Sequence, residues 1–283
     1  MHQKLTAFLL LLVTSVSAQS VTLPSGLKVI VVQKDFPLLK ILLPGQAVSD
    51  RGIEIEFPEH VTGLNKTTHK VEHLYLVTNG NRNKRSLPAW RVQGNSLVYE
   101  TELDNKIKLI ATAHPEADGL RYTYTLHNHS NIAYQSLQAV TCVKQYARFS
   151  DTLLERTYVH HKEGFDLLAS EAPKPVTIPS RHLVSYTWPI SSNRTEDGIQ
   201  RYYKSRKADK PFIATLSHDK KWISATYTKE TGNLWTNPER SCQHADPAID
   251  LNPGETKNLV LKTFIIKGGL EQLLQLVNAE MRK

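Results

Sequence analysis

Three alternating segments that follow one another almost without interruption constrain the fold of this chain most strongly. Residues 96–103 (SLVYETEL), 106–113 (KIKLIATA) and 120–127 (LRYTYTLH) place apolar side chains at every second position or nearly so. That period is typical of a strand with one face in a core. The junction between the first two segments is Asp104 and Asn105, two residue types that tolerate positive φ, so it predicts a tight hairpin. The segments therefore predict an antiparallel sheet.

Further strand patterns surround this region. Residues 134–147 fit a strand or a helix, and the β-branched residues at their centre favour a strand. At the C-terminal end, Leu270, Leu273, Leu274 and Val277 recur at helical spacing. Many strands with one terminal helix predict an all-β antiparallel sandwich rather than alternating βαβ units. The other predicted strands cover residues 27–32, 53–57, 156–161, 183–188, 212–217, 222–228 and 259–266.

The first residues predict export. Lys4 precedes an apolar run over residues 7–13, and small residues at 16–18 precede Gln19. This order is typical of a secretory signal peptide, which we assign to residues 1–19. No stretch reaches the roughly 20 apolar residues of a spanning helix, so no membrane span is expected. We predict a secreted or periplasmic protein with a single β-sandwich domain over residues 20–283.

Composition and charge narrow the class of partner. The chain is 40% hydrophobic and 22% charged, which is ordinary globular usage. A net charge of +8 suits an anionic partner such as an acidic polysaccharide, or else is dispersed over a solvated surface. The basic clusters at 82–85 and 201–210 match no nucleic-acid-binding motif, so no nucleic-acid partner is expected.

The two cysteines leave two interpretations open. Cys142 and Cys242 form either one disulfide or two buried free thiols. No Cys-x-x-Cys pair occurs, so no metal site is predicted. No nucleotide-binding loop, Gly-x-Ser-x-Gly or His-Glu-x-x-His motif occurs either, so no cofactor is expected, and kinase, dehydrogenase and common hydrolase classes are disfavoured. A glycosidase with scattered carboxylates stays open.

Two segments carry a family resemblance. DGLRYTYTLHNHSNIAYQSLQAVTC (residues 118–142) resembles two strands and their turn in the large sheet of galactose mutarotase-like proteins, and LNPGETKNLVLKTFIIKGGLEQLL (251–274) resembles their closing turn, strand and helix. The resemblance covers about residues 97–274 and extends to exported bacterial proteins with a Cys-x-His segment here. It implies a supersandwich whose concave face binds sugars, as a mutarotase or a module of lyases and glycosidases. The family's catalytic His and Glu match no motif here, so epimerase activity is not implied.

Two pairs of side chains are the candidates for acid/base chemistry. His244 and Asp246 are two positions apart, so in extended backbone they face one way, and a carboxylate beside an imidazole fixes its tautomer. The alternative is that Asp246 merely starts a turn and His244 packs beside Cys242. Tyr158 and His160 share a strand face by the same spacing and form a workable proton-transfer set.

Aromatic and polar residues are candidates for sugar binding. Trp188 and Trp235 are expected to be partly exposed stacking platforms, with Asn237 close to the second, whereas Trp222 is expected in the core. His127 and His129 either bind a metal or flank a sugar hydroxyl, or else are ordinary turn histidines. We therefore predict an exported carbohydrate-binding or carbohydrate-modifying protein, acting by mutarotation or elimination if it is an enzyme. The alternative is a non-catalytic structural or interaction protein of the cell envelope.

Overall fold

The computed structural model describes residues 20–23, 25–33, 37–74, 89–170, 184–189, 200–203 and 206–283. The predicted signal peptide lies outside these ranges. In chain order the elements are β1 (Ser20–Thr22), β2 (Lys28–Gln33), β3 (Pro37–Leu42), β4 (Ile53–Asn65), β5 (Lys70–Leu74), β6 (Arg91–Gln93), β7 (Ser96–Leu103), β8 (Ile107–Glu116), β9 (Gly119–Asn128), β10 (Tyr134–Gln145), β11 (Thr157–His161), β12 (Gly164–Leu167), β13 (Val184–Pro189), β14 (Gln200–Tyr203), β15 (Phe212–Leu216), β16 (Trp222–Tyr227), β17 (Asn233–Thr236), β18 (Cys242–Gln243), β19 (Ala248–Leu251), β20 (Thr256–Lys267) and α1 (Leu270–Met281).

The described strands form three sheets. An eight-stranded sheet has the order β1-β2-β3-β4-β10-β18, with β5 paired to β4 and β19 paired to β10. A nine-stranded sheet has the order β12-β11-β15-β16-β20-β9-β8-β7-β6, and a three-stranded sheet has the order β14-β13-β17. Among these strands, β13 and β14 form the one parallel pair. The antiparallel all-β prediction is confirmed, including the choice of a strand for β10.

The hairpin between β7 and β8 forms where the sequence predicts it. Asp104 has φ 48° and Asn105 has φ 53°, the left-handed region at both central positions. The amide of Lys106 donates to the carbonyl of Leu103 at 2.9 Å, which closes the turn. A two-residue turn with positive φ twice matches the twist of the flanking strands.

The main core lies between the inner faces of the eight- and nine-stranded sheets. Ile55 and Val143 of the first sheet belong to one buried cluster with Tyr99 and Tyr122 of the second. Strands β8 and β9 alternate buried and less buried positions along most of their length, because successive side chains point to opposite faces. Trp222 is in this cluster and 8% exposed, so its predicted core position is confirmed.

The C-terminal helix covers the other face of the nine-stranded sheet. Leu273 and Val277 of α1 are fully buried against a cluster that includes Phe264 of β20 and Ala225 of β16. The predicted helix is therefore confirmed, and its apolar stripe is what attaches it to the sheet. Within the residues described, no helix has the length and apolar character needed to cross a membrane.

Candidate functional site on the outer face of the eight-stranded sheet

Strand register decides which side chains share the outer face of the eight-stranded sheet. Val143 of β10 pairs with Ile55 of β4, and both side chains lie in the core. Neighbouring positions in each strand must point the other way. The residues directed away from the nine-stranded sheet are therefore Cys142 and Lys144 of β10, Glu56 of β4 and, through its pairing with Lys144, Cys242 of β18.

The turn from β17 to β18 brings an indole ring onto an imidazole ring. Trp235 and His244 form an antiparallel bridge in which each backbone amide donates to the other residue's carbonyl, at 3.1 and 2.9 Å. Their side chains therefore lie side by side on the same face. The rings stack with centroids 3.6 Å apart and an interplanar angle of 10°. His244 is left only 1% exposed.

Asp246 accepts hydrogen bonds that fix the position of the Trp235 ring beside His244. Its Oδ2 accepts a hydrogen bond from Trp235 Nε1 at 2.9 Å, and its Oδ1 accepts one from the amide of Thr141 at 2.9 Å. Oδ1 also lies 3.4 Å from His244 Nδ1. The predicted pairing of His244 with Asp246 is confirmed as a contact, and the carboxylate is fully buried.

Two buried thiols adjoin the imidazole, and two carboxyl groups adjoin one of those thiols. Cys142 and Cys242 are free thiols, and with His244 they form a group whose ligand atoms all lie within 4.8 Å of one another. Glu56, Glu59 and Cys142 form a second group with the same limit. We call Cys142, Cys242, His244, Asp246, Glu59 and Trp235 the outer-face cluster.

A bulge in β4 explains how Glu59 joins the cluster. The register between β4 and β10 shifts between Val140 and Cys142, which pair with His60 and Glu56 respectively. Three residues of β4 thus lie opposite one residue of β10, and the extra length re-aims the side chains there. Glu59 is half-buried as a result.

Contacts and burial within the outer-face cluster change the pKa values of its own members. Burial acts to lower the pKa of His244, but Cys242 and Asp246 outweigh it and raise that pKa to about 10. Cys142, which shares a hydrogen bond with Cys242, has a raised pKa. Burial opposes ionisation of Cys242 as well, but that hydrogen bond and His244 lower the pKa of its thiol. Burial raises the pKa of Glu59. Cys242 and His244 thus each favour the ionised form of the other, because opposite charges attract.

The two tryptophans proposed as stacking platforms are not exposed. Trp188 is fully buried and Trp235 is 7% exposed, so the expected partial exposure is wrong for both. Trp188 pairs with Leu234 in β17 while Trp235 pairs with Thr187, so the indoles point to opposite faces of the three-stranded sheet. Trp188 donates Nε1–H to the carbonyl of Leu168 at 3.0 Å and stacks on His161.

Asn237 lies in the turn beside the cluster. It is 6% exposed, and its backbone carbonyl is 3.9 Å from Cys242 Sγ. Its side-chain Oδ1 is buried and has no hydrogen-bond partner among the residues that the structure describes. A buried amide oxygen of this kind is normally satisfied by a water or an ion.

The other predicted residues lie on the nine-stranded sheet and are not brought to His244. His160 packs edge-on against Phe165, which belongs to the cluster under α1, and its Nδ1 is 2.6 Å from Asp209. Tyr158 shares this strand face with His160 by alternation. His127 Nδ1 is 2.9 Å from Thr256 Oγ1, and His129 Nε2 is 3.7 Å from Glu102. These side chains therefore lie outside the outer-face cluster.

Sequence reasoning did not place Cys142, Cys242 and Glu59 in the site. The available signal was Cys242-x-His244, whose spacing directs a thiol and an imidazole to the same side of a strand. Cys142 and Glu59 join the site only because strands distant in sequence pair with each other and, for Glu59, because of the bulge in β4. The absence of Cys-x-x-Cys therefore does not exclude a metal site built from two strands.

Comparison with known proteins identifies the fold. No family model and no curated protein matches the sequence. Among solved structures, a galactose mutarotase related enzyme from Lactobacillus acidophilus aligns with 90% of this chain and 99% of its own length, at TM-score 0.51 and 9% identity. A protein from Synechocystis sp. PCC 6803 aligns over 89% and 97%, at TM-score 0.50 and 13% identity. The chain has the galactose mutarotase-like β-sandwich fold.

The same fold also occurs inside a larger enzyme. An alpha-N-acetylgalactosaminidase from Bifidobacterium bifidum matches 93% of this chain with only 39% of its own length, at TM-score 0.51 and 8% identity. At identities this low the comparison describes architecture alone.

Proposed function

We propose that the protein is exported and binds or modifies a carbohydrate at the outer-face cluster, by proton transfer if it is an enzyme. The observation that carries this proposal is that His244, contacted by Asp246, and the carboxyl group of Glu59 each lie within 4.8 Å of Cys142 Sγ, with Glu59 coming from the other side of β10. An imidazole and a carboxyl group from separate segments then lie on the same face of the eight-stranded sheet. Mutarotation and elimination on a sugar both need one group to remove a proton and another to deliver one.

Access to the two groups differs. His244 is 1% exposed beneath Trp235, whereas Glu59 is half-buried. A sugar would therefore meet Glu59 first, and would contact His244 only after Trp235 moved. The fold supports a carbohydrate ligand by analogy with the galactose mutarotase related enzyme.

The test is sugar binding by the mature protein, first on a glycan array and then by calorimetry with the best ligand. We expect Glu59→Gln and His244→Ala to weaken binding at least tenfold, with unchanged circular dichroism. His127→Ala is the matched control, because His127 lies on the nine-stranded sheet outside the cluster, and it should bind as the wild type does. Unchanged binding in folded Glu59→Gln and His244→Ala would contradict the proposed site.

A structural role in the cell envelope is the second candidate. The observation in its favour is the burial of His244, Asp246 and Trp235, which are 1%, 0% and 7% exposed. Under this hypothesis the cluster stabilises the turn between β17 and β18, and no sugar binds. An array on which the folded protein binds no glycan would favour this role.

Export is tested separately. The proposed signal peptide, residues 1–19, should be absent from the protein recovered outside the cytoplasm. Intact-mass measurement of protein expressed from the full sequence in a bacterial host checks this directly. A full-length mass in the exported fraction would contradict it.

A further inference from the structure

We propose that Cys142, Cys242 and His244 form a binding site for Zn²⁺. These residues supply two sulfurs and one imidazole nitrogen, the ligand set that zinc favours in proteins. They come from β10 and from β18 with the residues that follow it, two paired strands, so the backbone holds them in place. The proposal concerns the same cluster as the proposed function but does not depend on sugar binding.

The spacing of the three ligand atoms fits one ion. Cys142 Sγ, Cys242 Sγ and a ring nitrogen of His244 all lie within 4.8 Å of one another. Around a tetrahedral zinc with Zn–S distances of about 2.3 Å, two sulfurs are roughly 3.8 Å apart. Small side-chain rotations therefore bring all three atoms into the first coordination sphere.

The surroundings of His244 are those of a metal-binding histidine. Its Nδ1 faces Asp246 Oδ1 at 3.4 Å, which leaves Nε2 as the nitrogen available to an ion. Asp246 is itself fixed by Trp235 Nε1 and the Thr141 amide, both at 2.9 Å. Carboxylate, imidazole and ion in this order fix the ring orientation and strengthen the ligand.

All three candidate ligands are buried. Cys142 and Cys242 are 2% and 1% exposed, and His244 is 1% exposed. If both cysteines bind as thiolates, one divalent ion supplies the positive charge that two buried anions require. The buried Oδ1 of Asn237, in the adjacent turn, lacks a partner among the described residues, and a water on the ion would account for it.

Three protein ligands leave the fourth position of a tetrahedral ion open. Sites of this composition are typical of catalytic rather than structural zinc, because the free position binds water or substrate. A carboxyl oxygen of Glu59 lies within 4.8 Å of Cys142 Sγ, so Glu59 lies beside the sulfur that would bind the ion. With zinc bound, His244 would be a ligand, and of the acid/base pair proposed above only Glu59 would remain free to transfer a proton.

Metal content tests the proposal directly. Protein purified without reductant or chelator, then dialysed against Zn²⁺, should contain one zinc per chain by mass spectrometry of the metal. Co²⁺ should replace it and give the thiolate charge-transfer absorption and strong visible bands of a tetrahedral site. Cys142→Ser, Cys242→Ser and His244→Ala should each lose the bound metal and these bands.

Two further variants separate a metal site from a structural cluster. Asp246→Asn should keep the cobalt spectrum but bind Zn²⁺ roughly 10- to 100-fold more weakly. His160→Ala should bind Zn²⁺ as the wild type does, because His160 contacts Phe165 and Asp209 instead.

Three results would overturn the proposal. They are no stoichiometric zinc in the folded wild type, a Cys142–Cys242 disulfide in the protein purified without reductant, and binding of Cu⁺ without binding of Zn²⁺. All three are measured without sugar, so the absence of glycan binding would not contradict the zinc site. The absence of zinc binding would likewise not contradict sugar binding, which the Glu59→Gln variant tests.

Discussion

The indole of Trp235 and the imidazole of His244 lie parallel at 3.6 Å between ring centroids, and the indole nitrogen donates 2.9 Å away to the carboxylate that faces the imidazole. One tryptophan thus contacts both members of the His244–Asp246 pair. It covers the ring and orients the carboxylate at once. Residues 235–246 therefore form one small unit that is held together by these contacts and pairs through β18 with β10 of the eight-stranded sheet.

Replacing Trp235 by Phe should destabilise this unit measurably. Phe keeps an aromatic face against His244 but removes the hydrogen bond to buried Asp246. Hydrogen bonds to charged groups contribute about 1.5 to 3 kcal/mol. We expect the free energy of unfolding, from urea denaturation at pH 7, to fall by about 2 kcal/mol.

A double-mutant cycle with Asp246→Asn isolates the contribution of that bond. In the Asn background the acceptor is neutral, so Trp235→Phe should cost about 1 kcal/mol less than in the wild type. If the two substitutions are additive, the hydrogen bond contributes little and the stacking alone holds the indole.

Local patterns account for most of the fold. Alternation marks β7, β8 and β9, helical spacing marks α1, and Asp104 with Asn105 marks a hairpin, because each depends on neighbours in the chain. The contact of His244 with Asp246 was also predictable, since it needs only a spacing of two. These features require no knowledge of which strands pair.

The rest of the site depends on pairing between distant segments. Cys142 meets Cys242 through the β10–β18 register, and Glu59 is presented by a bulge that no local pattern signals. The burial of Trp188 follows from its pairing with Leu234 and from the side chains packed against that face. Alternation of apolar and polar residues predicts which side chains share a strand face, but it does not predict whether both faces are buried.

The β7–β8 hairpin offers a test of turn chemistry. Asn105 has φ 53°, a value that glycine adopts without steric cost and that a β-branched residue resists. We expect Asn105→Gly to change the free energy of unfolding by less than about 1 kcal/mol and Asn105→Val to lower it by about 1 to 3 kcal/mol. Thermal and urea unfolding measure both. Equal stability of the two variants would mean that the turn relaxes to another conformation.

The attachment of α1 to the nine-stranded sheet depends on Leu273. Its side chain is fully buried among residues that include Phe264 and Val277. Leu273→Ala should lower the free energy of unfolding by about 2 to 5 kcal/mol, through lost burial and the cavity left behind. Gln275→Ala is the matched control, because Gln275 is exposed on the same helix, and it should change stability by less than about 0.5 kcal/mol. A similar loss of unfolding free energy in both variants would mean that the substitutions weaken the helix itself rather than its packing against the sheet.

Glu280 should make the protein sensitive to acid. Burial acts to raise its pKa, but hydrogen bonds from Lys283, Arg121 and Lys262, at 2.8, 2.8 and 3.1 Å, outweigh it and lower the pKa to about 2. A carboxyl group whose folded pKa lies below its unfolded value of 4.5 stabilises the fold above that value, and the contribution disappears as the pH falls from about 5 towards 2. The wild type should therefore lose stability over this range, and Glu280→Gln should lose roughly 2 kcal/mol less because its side chain has no proton to gain.

Exposed Glu271, in the first turn of α1, gives the control variant Glu271→Gln, which should follow the wild type. Urea unfolding at pH 7, 5, 4 and 3 measures the difference, and parallel curves for wild type and Glu280→Gln would show that these hydrogen bonds do not favour the ionised carboxylate.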